Sequence, residues 1–150
     1  MKYLTLLLLG SFCSFAATPG VDVHSTKELN GLSQKLAAKK SRFASQSLER
    51  YRNHYALLAE RNSNGSAELH EHEADIYFVL KGNATLVSGG KMVNPHTEKP
   101  GEIRAPSIQG GERQPIGAGD VVHISANIPH QLLVPEGKEF SYYVVKVTDQ

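Results

Sequence analysis

Residues 62–82 read NSNGSAELHEHEADIYFVLKG, and this stretch combines strong turn signals with a dense group of metal-binding side-chain types. Asn62 to Gly65 is typical of a tight turn, and the segment 81–83 (Lys-Gly-Asn) predicts a second one. Between the turns, residues 66–70 and 75–80 have the alternation or the β-branched and aromatic content of strands. The stretch therefore predicts two short strands that carry Glu68, His70 and Asp75.

Strand-like segments continue on both sides of this stretch. The pattern predicts strands at 53–61, 84–88, 120–125, 130–134 and 140–148. Residues 89–119 contain four prolines and many glycines, which indicates an irregular segment in which only 102–108 resembles a strand. Many short strands with closely spaced turns favour an all-β sandwich or barrel over alternating strands and helices.

One helix is predicted, near the N-terminus. Ser25 and Glu28 have the spacing of a capping box, in which each residue satisfies a backbone N–H group of the other. Leu29, Leu32 and Leu36 follow at roughly helical spacing, so the sequence predicts an amphipathic helix over 26–40.

The connection between His70 and Asp75 allows two registers. If the strand ends at His70, then Glu68 and His70 share one face, and residues 71–74 form the loop of a hairpin that leads to Asp75. If His72 also belongs to the strand, only Glu73 and Ala74 remain for the turn, and two-residue hairpin turns favour Asn or Gly. We prefer the first register and keep His72 as an alternate ligand.

In the preferred register the stretch resembles the first motif of the cupin family: Gly, five residues, His-x-His, three or four residues, Glu, six residues, Gly. Asn62, Glu68, His70, Asp75 and Gly82 occupy the five positions at the family's spacing. Two ligand types are changed, because Glu68 replaces the first histidine and Asp75 replaces the glutamate.

The second cupin motif is Gly, five residues, Pro-x-Gly, two residues, His, three residues, Asn. Gly119 and His130 match it, Asn127 stands at a glycine position that asparagine can also fill, and Ser125 and Val134 depart from it. The resemblance covers residues 50–148. It implies an all-β fold, the double-stranded β-helix or jelly-roll barrel of cupins, here with a short N-terminal α-helix.

The resemblance implies one bound divalent metal ion, held by Glu68, His70, Asp75 and His130. Two imidazoles with one or two carboxylates suit Fe, Mn, Zn or Ni, and the set has no sulfur to favour Cu(I). The resemblance also implies a small-molecule ligand and a homodimer formed by edge strands. The alternative for His70 and Asp75 is a solvent-facing ion pair at a hairpin end.

The N-terminal residues are typical of a secretory signal peptide. Lys2 precedes an apolar run over 3–10 that is too short to span a bilayer, and small residues at 14 and 16 suit cleavage. We therefore predict a signal peptide at 1–16, a helix and lead-in segment at 17–49, and a cupin domain at 50–150. Cleavage would remove Cys13, the only cysteine. The expected location is the bacterial periplasm or the exterior, without membrane attachment after cleavage.

Composition excludes some partners. The formal net charge is +1 and no basic stripe is present, so nucleic acid is not expected as a partner. The function indicated is a metal-dependent enzyme of dioxygenase, isomerase or decarboxylase type that acts on a small polar molecule. The alternative is a non-catalytic module of the bacterial envelope that binds a small molecule or a metal. No catalytic residue beyond the metal ligands is assigned.

Overall fold

The structure is a computed structural model that describes residues 20–148. The predicted signal peptide at 1–16, including Cys13, lies outside the described residues. Within residues 20–148 the chain forms one helix and thirteen strands. These are α1 (Thr26–Ala37), β1 (Phe43–Arg50), β2 (His54–Arg61), β3 (Ala67–His70), β4 (Glu73–Lys81), β5 (Asn83–Ser88), β6 (Lys91–Val93), β7 (His96–Lys99), β8 (Glu102–Ala105), β9 (Ser107–Gln109), β10 (Glu112–Gly117), β11 (Val121–Ile124), β12 (His130–Leu133) and β13 (Phe140–Thr148).

The strands form two main antiparallel sheets. One has the order β1-β2-β13-β4-β11, the other has the order β10-β5-β12-β3-β8-β7, and β6 and β9 form a two-stranded ribbon. Inward side chains of both sheets make one core, in which Tyr77 and Val79 of β4 pack with Leu86 of β5 and Leu132 of β12. The predicted all-β jelly roll with an N-terminal helix is confirmed. Among the described residues the two sheets share no ladder, so the structure is an open sandwich and not a closed barrel.

Helix α1 begins as predicted and ends earlier. The Glu28 N–H donates to Ser25 Oγ at 3.2 Å, and the Ser25 N–H donates to Glu28 Oε2 at 2.9 Å. The helix ends at Ala37, three residues before the predicted end, and Lys40 takes a positive φ of 52° where the chain turns into β1. Buried Leu36 belongs to the face of α1 that packs on β1 and β2. Within residues 20–148 no helix has both the length and the apolar character needed to cross a membrane.

Two parts of the strand prediction were wrong. Strand β1 was not expected, because its sequence FASQSLER is mostly polar. In the structure, five of its eight residues are exposed. Residues 89–119 were expected to be irregular but contain β6 to β10. Most of the glycines that suggested irregularity lie in turns next to these strands, where Gly89, Gly90, Gly110 and Gly111 have positive φ. The predicted strand at 102–108 is divided into β8 and β9, which belong to different sheets.

The connection after His70 is a crossing between sheets. Strand β3 ends at His70, as in the preferred register, but β4 begins at Glu73, so the connection has two residues and not four. Strand β3 belongs to the six-stranded sheet and β4 to the five-stranded sheet, so the expected hairpin pairing is wrong. Because the chain changes sheets here, His70 and Asp75 face each other across the sandwich.

Candidate metal centre

The four residues predicted to bind metal come from three strands and meet inside the sandwich. Glu68 and His70 share the inward face of β3. Strand β12 pairs with β3, and His130 of β12 lies directly across from Glu68. Asp75 approaches from β4 of the other sheet. Both imidazoles are almost fully buried, at 4% and 2% exposed, and Asp75 is 1% exposed. The solvent-facing ion pair considered for His70 and Asp75 is therefore excluded.

The distances between these side chains fit a single ion. His70 Nε2 lies 3.5 Å from Glu68 Oε2 and 3.5 Å from Asp75 Oδ2. His130 Nε2 also lies 3.5 Å from Asp75 Oδ2. One ligand atom from each of Glu68, His70 and His130 lies within 4.8 Å of the other two. Two ligands bound at ~2.1 Å in a tetrahedral arrangement are about 3.4 Å apart, so the observed separations suit a first-row divalent ion.

His130 presents a free nitrogen to the cluster. Its Nδ1 lies 3.0 Å from the carbonyl oxygen of Ile128, so Nδ1 is a donor, and in the neutral imidazole Nε2 carries the lone pair. Nε2 is buried and has no hydrogen-bond partner among the described residues. A buried lone pair that faces the carboxylate of Asp75 is unfavourable. A proton or a metal ion at Nε2 removes this repulsion, and the donor set therefore fits a metal.

Asn127 positions the turn before His130. It has a φ of 65°, the left-handed conformation expected where the cupin motif has a glycine. Its N–H donates to the His70 carbonyl oxygen at 2.8 Å, and its Nδ2 donates to the Glu71 carbonyl oxygen at 3.1 Å. Asn127 therefore ties the segment that leads to His130 to the end of β3, where His70 lies.

Both carboxylates are held in the ionised form. Burial raises the pKa of Glu68, but the hydrogen bond from His70 and the charges of Arg104, His130 and Arg61 outweigh it and lower that pKa to about 2. Burial likewise raises the pKa of Asp75, but the imidazoles of His130 and His70 and the ammonium of Lys146 lower it far below its usual range. Ionised carboxylates are the form that binds metal.

Several cations can occupy the position next to His70 Nε2. Burial lowers its pKa, but the neighbouring carboxylates of Asp75 and Glu68 outweigh this and raise it to about 9. Lys146 Nζ lies 2.9 Å from the same Nε2 atom and 2.5 Å from Asp75 Oδ1. A proton, the Lys146 ammonium and a metal ion therefore compete for one nitrogen.

Sequence reasoning missed Lys146 and Arg61. Lys146 lies on the same face of β13 as Tyr142 and Val144, which point into the core. The alternation of side chains along this strand could have predicted that Lys146 points inward. Arg61 ends β2; its Nη2 lies 3.3 Å from Glu68 Oε1, and its guanidinium stacks on the Phe43 ring at 4.4 Å. No comparable sequence pattern predicts that an arginine at the end of a strand, such as Arg61, is buried.

Other polar residues lie at different distances from the cluster. Arg104 Nη1 lies 2.5 Å from Glu68 Oε1, whereas Arg113 is exposed on β10, away from the site. The Tyr77 hydroxyl donates to Asp75 Oδ2 at 3.1 Å, and burial raises the pKa of Tyr77 well above its usual value. His72 is exposed in the two-residue connection and is outside the group of ligand atoms.

A cavity of about 430 Å³ opens onto the cluster. We call it the central cavity; its lining includes Glu68, His70, Asp75, Arg61, Arg104, Lys99, Glu102 and Lys146. A larger cavity of about 710 Å³ lies beside the 62–64 turn and the loop at 134–137. None of the clustered ligand residues lines the larger cavity, so the central cavity is the candidate site.

The sequence matches no family model and no curated protein. Its structure is similar to the cupin domain of Cnp3 from Schizosaccharomyces pombe (10% identity, 73% of this chain and 66% of that chain, TM-score 0.55). It is also similar to a Cupin 2 conserved barrel domain protein from Salinispora arenicola (24% identity, 70% and 75%, TM-score 0.50). A third similar structure is the DMSP lyase DddQ from Ruegeria pomeroyi (20% identity, 75% and 50%, TM-score 0.52).

These similarities concern the fold. The chain spans 66% of the Cnp3 domain structure and half of the lyase. Because the identities are 24% or lower, the similarities establish the fold and nothing about activity. That fold is the cupin fold. The resemblance deduced from the two sequence motifs is therefore confirmed at the level of the fold.

Proposed function

We propose that this protein is an exported, metal-dependent cupin enzyme that acts on a small polar molecule. The observation that carries the proposal is the convergence of two buried imidazoles and two ionised carboxylates beside the central cavity, at separations that suit one divalent ion. The reaction types that the fold makes available include dioxygenation, isomerisation and decarboxylation.

Residues around this site have separate roles. A divalent ion bound here would polarise an oxygen atom of the ligand and stabilise developing negative charge. The Ile128 carbonyl oxygen and the turn at Asn127 orient His130. The Tyr77 hydroxyl, protonated at neutral pH because its pKa is raised, donates to Asp75 and acts as a donor and not as a base.

One of the similar structures is that of an enzyme. The DMSP lyase shows that the same fold carries catalysis in another protein, at 20% identity. Export is proposed from the signal-peptide pattern at 1–16. A homodimer is proposed because β11 and β1 are the edge strands of the five-stranded sheet, and exposed edges favour pairing.

One observation favours a second candidate, a non-catalytic binding module. Lys146 neutralises Asp75, and Arg61 and Arg104 neutralise Glu68, so the carboxylates have charged partners before any metal binds. A site balanced in this way can remain folded without an ion. In this alternative, the central cavity holds a small molecule and performs no reaction.

Elemental analysis tests the metal site on which the proposed enzyme depends. The full-length gene is expressed, and the protein is purified without chelator beside His70→Ala, His130→Ala and the control His72→Ala. We expect about one equivalent of Fe, Mn, Zn or Ni in the wild type and in the control, and a loss in the other two variants. A wild type that stays metal-free after incubation with each ion would contradict the proposal and favour the binding module. Loss of metal from the control would show that the ligand set is wrong.

A further inference from the structure

The charges that line the central cavity do not cancel once a metal is present. The lining contains four cationic side chains and three carboxylates, namely Arg61, Lys99, Arg104 and Lys146 against Glu68, Asp75 and Glu102. With neutral histidines the formal sum is +1, and a divalent ion raises it to +3. Counting Glu73, whose carboxylate lies 3.9 Å from Lys146 Nζ, still leaves +2. A partly desolvated site with a net positive charge favours an anionic ligand.

Arg104 is the cation best placed to meet such a ligand. Its Nη1 contacts Glu68 Oε1 at 2.5 Å and Ser66 Oγ at 3.4 Å, and its Nη2 contacts Glu102. These partners hold the guanidinium in one orientation, and 27% of the side chain remains exposed. A guanidinium that is fixed before binding loses less entropy when it binds an oxyanion.

Glu68 connects Arg104 to the candidate metal ligands. Its Oε2 lies 3.5 Å from His70 Nε2, while its Oε1 contacts Arg104. Glu68 is itself a candidate ligand, so the guanidinium touches the cluster directly and is separated from His70 by the width of one carboxylate group. A molecule with an oxygen at the metal and an anionic group two or three atoms away can reach both.

Lys99 adds a second, more accessible cation. Its ammonium lies 3.0 Å from Glu102 Oε2, and its side chain is 64% exposed. Arg61, in contrast, is covered by the Phe43 ring and is only 10% exposed, so it contributes charge without a free contact surface. Two cations, Arg104 and Lys99, therefore share Glu102 at the accessible part of the cavity.

From this arrangement we propose that the central cavity binds a small organic oxyanion, with its anionic group at Arg104 and Lys99 and a further oxygen at the metal. This inference rests on the proposed metal site and names the substrate class for it. A neutral sugar or alcohol of the same size would leave the positive charge uncompensated.

Calorimetric titration tests the charge requirement. The metal-loaded protein is titrated with lactate, with methyl phosphate and with lactamide, which matches lactate in shape but is neutral. We expect lactamide to bind at least tenfold more weakly than the tighter of the two anions. If lactate is the tighter anion, the subsite prefers a carboxylate; if methyl phosphate is tighter, it prefers a phosphate ester. Binding of lactamide as tight as that of the tighter anion, or no binding of either anion, would overturn the proposal.

Variants identify the contact. Arg104→Gln is expected to weaken binding of the anion at least tenfold, and Lys99→Gln, which changes an exposed side chain, is expected to weaken it two- to fivefold. Arg113→Gln, outside the cavity, is the control and should bind as the wild type does. Unchanged anion binding in both cavity variants would overturn the proposal.

The metal content of every sample separates the two proposals. A protein that binds no metal contradicts the proposed function and the contact between ligand and metal. The anion contact at Arg104 and Lys99 still stands in that case if lactate is preferred over lactamide and Lys99→Gln weakens its binding. If the protein binds metal but binds lactate and methyl phosphate no more tightly than lactamide, only the oxyanion proposal is contradicted.

Discussion

Replacing Lys146 with methionine is expected to tighten metal binding by at least about tenfold. Lys146 Nζ lies 2.9 Å from His70 Nε2, and a metal ion bound ~2.1 Å from that nitrogen lies at most about 5 Å from the ammonium. Repulsion between these charges is about 1.7 kcal/mol at the dielectric constant of water, and several times larger at an effective value of ~20. Because a lysine stem is flexible and can withdraw, we use the lower figure, which corresponds to roughly fifteenfold in affinity.

Zinc is the probe for this prediction, because it has no redox chemistry. The dissociation constant is measured by competition with a chromogenic chelator for the metal-free wild type, Lys146→Met and Lys91→Met. Lys91 is an exposed residue of β6 outside the central cavity, so the control makes the same charge change without removing the local repulsion. If Lys146→Met bound zinc no more tightly than the wild type, the ammonium would be holding Asp75 in place and not competing with the ion.

Two further predictions concern the metal-free protein. Glu68 has its pKa lowered from 4.5 to about 2, so its contribution to stability is present above about pH 4.5 and is lost as the pH falls toward 2. At about 1.4 kcal/mol per pKa unit this amounts to at most about 3.5 kcal/mol. In urea unfolding, Glu68→Gln should therefore lose less stability than the wild type between pH 6 and pH 3, and equal losses would contradict the assignment. Gly82→Ala should cost at least about 2 kcal/mol, because Gly82 has a φ of 80° and the added Cβ would lie 2.0 Å from the Glu139 carbonyl oxygen. Gly31→Ala in α1, where an added Cβ meets nothing within 4 Å, should instead stabilise by about 0.5–1 kcal/mol; thermal denaturation of both variants checks this, and similar shifts would refute it.

The position of Lys146 suggests how a metal site of this kind can exist without metal. Buried carboxylates and imidazoles without charged partners would destabilise the fold. The contact of Lys146 with Asp75, and those of Arg61 and Arg104 with Glu68, reduce that cost. The same cations oppose the metal, and in the oxyanion proposal they also attract its ligand. In the two proposals, metal affinity and ligand class therefore depend on one set of side chains.

The sequence by itself determined the fold class and the identity of the clustered residues. Alternation along a strand decides which side chains share a face, so the pairing of Glu68 with His70 and the strand at 140–148 could be deduced locally. The capping box at Ser25 and the left-handed Asn127 are likewise local features, set by one residue and its neighbours along the chain. The spacing of the two motifs added His130, which no local rule connects to Glu68.

Only the tertiary structure decided how those residues meet and what else stands beside them. The chain crosses between sheets after His70, and turn chemistry cannot distinguish such a crossing from a hairpin, because both begin at the end of a strand. Lys146 contacts Asp75, which is 71 residues away along the chain, and Arg61 contacts Tyr142, which is 81 residues away. Strand pairing, not any property of residues 140–148 taken alone, places the ammonium of Lys146 against Asp75. Contacts between distant strands are set by the packing of the whole sandwich, and they decide the charge of the site.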